Sequence, residues 1–165
     1  MTAAQRRYSL VKELRSFLDS NGGPNWRTRL EDLPINFDYN TDTSILVDVR
    51  KADLAWCKPQ HVNFRISAQG QNEIGDRTEL LVQYLKSGGT ISPPEAYYCE
   101  ETGGLDFSDG RHRFSLLRDV GLLVIPMISD SLDTLRNLEA DLHLLKKTVP
   151  NKIRSNKDPT VEFDM

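Results

Sequence analysis

Residues 107–119 read FSDGRHRFSLLRD: a strand end, a tight turn carrying Gly110, and a helix whose first turn is Arg111-His112-Arg113. The start of a helix gathers free backbone N–H groups and the positive end of the helix dipole, which together favour an anion. Gly110 lets a ligand approach the backbone where a side chain would obstruct it. Arginine adds planar donors matched to phosphate oxygens, and histidine exchanges a proton near neutral pH. An Arg-His-Arg start is also compatible with a solvated helix face and a satisfied histidine. Three potentially cationic side chains nonetheless occupy the helix end that repels cations, and that local cost is offset if an anion binds there.

The flanking sequence fits a small α/β domain. Within the 111–120 helix, Phe114, Leu117 and Val120 share one face, and Gly121 closes it. Residues 122–128 are apolar almost throughout, as in a strand covered on both faces. Upstream, strands are expected at 96–99 and 105–108, joined by the hairpin-like 100–104, with another at 45–49 (ILVDV). Between them lies the polar stretch 56–75, long enough to suggest a functional loop. A helix over 77–87 follows, with Asp76 as N-cap, Leu80, Leu81, Tyr84 and Leu85 facing inward, and Gly88-Gly89 as its stop.

Outside this region, residues 4–18 carry Tyr8, Val11, Leu14, Phe17 and Leu18 at helical spacing, stopped by 20–24 (SNGGP). Residues 25–44 read as a connector or an irregular lobe. A last helix is expected from Asp130 or Ser131, with Leu132, Leu135, Leu138, Leu142 and Leu145 packed onto the sheet rather than forming a zipper. Residues 146–157 hold five basic residues and no acid, and the tail to Met165 reads as mobile. The expected organisation is an N-terminal helix and connector (1–44), an α/β or α+β domain (45–130), and a C-terminal helix with tail (131–165).

The 165 residues are 38 % hydrophobic and 27 % charged, ordinary globular usage. With 21 basic and 24 acidic side chains, net −3, a whole-molecule field for coating nucleic acid is excluded, so a phosphate ligand needs a local basic site. No apolar run reaches the ~20 residues of a membrane span, and no secretory leader is evident. With Cys57 and Cys99 the only cysteines, a disulfide framework is excluded and a reduced, cytoplasmic setting is expected. His61, His112 and His143 lack ligand spacing, so no metal site is expected. Carboxylates for Mg²⁺ exist (Asp48, Asp53, Glu73, Glu95, Glu100, Glu101, Asp109), but no spacing singles out a pair. Arg65 in the polar loop and Arg77 can close over a nucleotide, with Trp56 as a stacking face, or else pair with Glu73 or Asp76 and fill the core, respectively.

The pattern strand–Asp109-Gly110-x-His112-Arg113-Phe114–helix–apolar strand resembles the signature of the ParB/sulfiredoxin superfamily. The longer string FSDGRHRFSLLRDVG…IP resembles the plasmid fertility inhibition factors within it, of the Osa and FiwA type. The similarity runs from about Ile45 to Ser129. It implies a ParB/sulfiredoxin-like fold with a small mixed sheet, and a mobile-element protein acting against conjugation or type IV secretion of DNA. ATP or another nucleotide is the implied ligand, with Mg²⁺ as companion. Osa-type members are associated with ATPase and DNase activity, which makes DNA and a protein of the transfer machinery candidate partners. Gly110, His112 and Arg113 match the phosphate-binding element; Asp109, Arg111 and Arg118 match only the narrower pattern. In the implied chemistry Arg111 and Arg113 stabilise charge on a phosphoryl group while His112 moves a proton. Arg111 stands where sulfiredoxin has its catalytic cysteine, so sulfinic-acid reduction is not expected. The alternatives are a non-catalytic protein-interaction inhibitor and a small-molecule phosphotransferase.

Overall fold

Ser44–Asp48 and Val124–Ile128 pair antiparallel over five residues each, and this pair forms one half of the main sheet. The computed structural model describes residues 2–38, 40, 42–56, 77–101 and 103–141. In chain order the strands are Asn36–Phe37 (β1), Ser44–Asp48 (β2), Thr90–Ile91 (β3), Glu95–Cys99 (β4), Gly104–Asp109 (β5) and Val124–Ile128 (β6). The main sheet has the order β2-β6-β4-β5, mixed as expected, while β1 and β3 form a separate two-stranded parallel pair. The helices are Ala3–Asn21 (α1), Val49–Ala55 (α2), Arg77–Lys86 (α3), Arg111–Val120 (α4) and Asp133–Arg136 (α5). The class is α+β.

The central strand β6 contains Pro126, which has no N–H to donate to a ladder. Ile128, two residues on and pointing the same way, donates its N–H to Pro94 O, and β4 pairs with β6 only at Glu95↔Ile128. The missing donor of Pro126 therefore faces a side where no ladder runs. On its other side β6 pairs fully with β2.

α1 opens with a capping box, in which Thr2 accepts from the Gln5 N–H and Gln5 Oε1 accepts from the Thr2 N–H. Its Leu10, Val11, Leu14 and Leu18 are buried against α3 and α4; Tyr8, expected on that stripe, is exposed. The 25–44 segment is more ordered than a connector. Trp26, Leu33 and Ile35 are buried, Leu30–Asp32 form a 3₁₀ turn, and β1 docks on β3. Arg27 donates to Gly121 O at 3.0 Å, and Gly121 itself sits at φ +110°, ending α4 in the left-handed region. Buried residues from 10 to 135 form a single cluster.

The fold departs from expectation at three places. The strand at 45–49 ends at Asp48, because the Asp48 carboxylate accepts from the N–H groups of Arg50 and Lys51 and caps α2, a helix not expected from the sequence. The inward face of α3 is Thr78, Val82 and Leu85 with Leu81 half-buried; Leu80 and Tyr84 are exposed. The C-terminal helix is a single turn, α5. The chain leaves it at Asn137 and runs beside β2, with Asp48 N–H donating to Leu138 O and Ala140 N–H to Leu46 O. The unused outer edge of β2 thus captures residues that would otherwise continue the leucine pattern. Leu142, Leu145, the basic stretch 146–157, the tail, the cap position Asp76 and the polar loop beyond Trp56 lie outside the described residues.

Candidate functional site

The strand–turn–helix of residues 107–119 forms as expected: β5 ends at Asp109, Gly110 turns, and α4 begins at Arg111. A bulge between Glu95 and Ala96 shifts the β4–β5 register there, so that Asp109 faces Glu95 while Phe107 faces Ala96. Ser108 occupies the bulge and donates to Glu95 Oε1 at 2.9 Å. Gly110 adopts φ +85°, and a Cβ at that position would lie 2.7 Å from an Arg113 guanidinium nitrogen and 2.9 Å from Pro94 Cα. Glycine is required on both counts, and Arg113 folds over it.

Among the described residues no side chain caps the N-terminus of α4, and no acid sits in its first turn. Arg113 reaches Asp109 at 3.4 Å, a pair whose acid is 70 % exposed. Its Nε is buried and meets no acceptor among the described residues, which is costly for a charged donor unless something else accepts from it. Arg111 turns back along β5 and donates to Phe107 O at 3.1 Å. These residues, with Arg77 from the start of α3, line one cleft of about 620 Å³.

His112 also lines the cleft. Burial pushes its pKa down to about 4, and the cations Arg77, Arg7 and Arg111 push in the same direction. The imidazole is therefore neutral at pH 7. An ordinary unfolded histidine titrates at about 6.5. Between pH 6.5 and 4 the unfolded chain binds a proton that native His112 refuses, so stability falls as pH falls through that window and is unaffected above it. An NMR titration of the His112 ring is expected to give a midpoint near 4, moving up when phosphate is added; a free-protein midpoint at 6.5 would contradict the enclosed, cationic setting.

Of the residues expected at the site, Asp109, Gly110, Arg111, His112, Arg113 and Arg77 converge, whereas Arg65 lies outside the described residues. Trp56 is no stacking face: it is fully buried, edge-on to Phe107 and Phe114 with centroids at 4.7 and 5.7 Å. Arg118 is not at the cleft either. It bonds Asp119 at 2.8 Å and Asp53 at 3.0 Å, bracing α4 to α2. Tyr84, whose spacing predicts a core position, lines the cleft instead. Among the described residues no group of three His, Cys, Asp or Glu is placed to hold a metal ion, and no helix is long and apolar enough to cross a membrane. No family model matches the chain, and no curated protein or solved structure matches it.

Proposed function

We propose that this cleft binds the phosphate group of a nucleotide or a related phosphate ester. The observation that carries the reading is the convergence of Arg77, His112 and Arg113 on the start of α4, where among the described residues no side chain caps the helix and the buried Arg113 Nε is unmatched. Under this reading the phosphate accepts from Arg113, Arg77 and the first-turn N–H groups, which offsets the cation–dipole conflict. Neutral His112 can take a proton from an attacking hydroxyl or water once the negative charge of a bound phosphate has raised its pKa. Arg111, tied to Phe107 O, holds the turn in shape and adds charge. Among the described residues Asp109 is the one carboxylate that lines the cleft, so a Mg²⁺ there would be held in part by the nucleotide's own phosphates.

A role against DNA transfer from a mobile element, with ATPase or DNase activity, rests on the motif resemblance of residues 107–126. The same site would serve a small-molecule phosphotransferase, and the arginines would equally engage an acidic partner protein in a non-catalytic inhibitor.

The test is a thermal-shift panel of orthophosphate, pyrophosphate, nucleotides and a DNA oligomer, each with and without Mg²⁺. A ligand present at 100 times its dissociation constant stabilises by about 2.7 kcal/mol, a plain rise in midpoint. If none raises it, the phosphate reading fails and the partner-protein reading replaces it.

A further inference from the structure

Arg77, Leu81 and Tyr84 recur at intervals of four and three along α3, on the helix face that lines the cleft. Arg77 and Tyr84 are about 10 Å apart along the axis. One wall of the cleft therefore runs from a cation through an apolar side chain to an aromatic ring.

The ring is held in place. Tyr84 donates its hydroxyl to Thr90 O at 2.9 Å, which tethers the far end of the ring. Gly89 lies so close to the ring that a Cβ there would come within 2.4 Å of Cε2 and Cζ. Tyr84 remains 49 % exposed despite these restraints. An aromatic fixed in this way loses little freedom when a ligand arrives, which is the arrangement that makes a good binding surface. Ile91, buried beside it, adds apolar lining. The cleft volume lies within the range of small-molecule sites, and such sites combine an apolar body with a few placed polar groups.

We propose that Tyr84 is the platform on which the planar base of a nucleotide stacks while its phosphates lie against Arg77, His112 and Arg113. This rests on the phosphate reading above and adds a ligand class to it: the site prefers a phosphate that carries an aromatic base over a bare polyphosphate. Stacking on an aromatic tolerates any base, so the platform selects for a base without choosing among them.

Calorimetric titration of the wild-type protein, Tyr84→Phe and Tyr84→Leu with ATP, CTP and inorganic tripolyphosphate tests this. Wild type is expected to bind both nucleotides more tightly than tripolyphosphate. Tyr84→Leu should lose about tenfold or more in nucleotide affinity and nothing in tripolyphosphate affinity. Tyr84→Phe keeps the ring without its tether and should retain most of the preference. A Tyr84→Leu variant that binds nucleotides as wild type does, or that weakens all three ligands equally, overturns the platform. Wild type that binds tripolyphosphate and nucleotides alike also overturns it, but leaves the phosphate reading standing. If wild type binds none of the three, the phosphate reading itself falls and the platform falls with it.

Discussion

Asp119→Ala is expected to destabilise the protein by about 3–5 kcal/mol, the cost of stripping one partner from a buried ion pair. The Asp119 carboxylate is buried and lies 2.6 Å from Arg7, whose side chain is 4 % exposed, while its second oxygen receives Arg118 at 2.8 Å. Removing it leaves Arg118 with Asp53, but takes from the buried Arg7 guanidinium a carboxylate at 2.6 Å, next to the neutral hydroxyls of Thr78 and Ser115 at 3.3 and 3.5 Å. Stripping a carboxylate from a buried guanidinium costs far more than the pair contributes relative to apolar residues. The double variant Arg7→Met, Asp119→Leu should therefore recover most of the loss. Denaturant midpoints of both variants check this; a cost below about 1 kcal/mol for Asp119→Ala would mean that water reaches Arg7.

Arg113→Ala should act in the opposite sense, leaving the fold intact and removing the ligand. Without ligand, Arg113 contributes an exposed pair with Asp109, worth about 0–1 kcal/mol, against a dipole conflict of a few tenths. The denaturant midpoint is expected to be unchanged or slightly raised. With ligand, a charge-assisted bond worth roughly 1.5–3 kcal/mol disappears, about ten- to a hundredfold in phosphate affinity. Arg113→Lys keeps a point charge without the planar fork and should recover part of that affinity. A ligand-free loss of 1 kcal/mol or more would make Arg113 a brace over Gly110 instead.

The helix that carries both residues is also where the sequence speaks most plainly. The turn at Gly110 and the amphipathic run to Val120 are legible because local propensity, periodicity and capping agree there, and the same holds for β6. The face of α3 is not. Leu80, Leu81, Tyr84 and Leu85 form as good a stripe as Thr78, Leu81, Val82 and Leu85, and it is packing against α1, with Arg7 bonding Thr78, that selects the second. Periodicity alone therefore places Tyr84 in the core, and leaves the core aromatic Trp56 free to be read as part of the site. α2 has a readable signal in the Asp48 cap, but the run ILVDV before it favours a strand through Val49. The departure from helix at Asn137 depends on a free edge more than 80 residues upstream, which no local pattern encodes.

The pairing of β2 with β6 carries a cost during synthesis. Residues 44–48 leave the ribosome about 80 residues before residues 124–128, and at 5–20 residues per second that is an interval of about 4–16 s. Throughout it the nascent chain displays Ile45, Leu46 and Val47 with both strand edges bare, because the 138–140 segment that covers the outer edge is made later still. The β4–β5 hairpin, whose partners are close in sequence, has no such wait. Half of the sheet can therefore assemble while the polypeptide is growing, whereas its N-terminal strand waits for a partner until the last strand arrives.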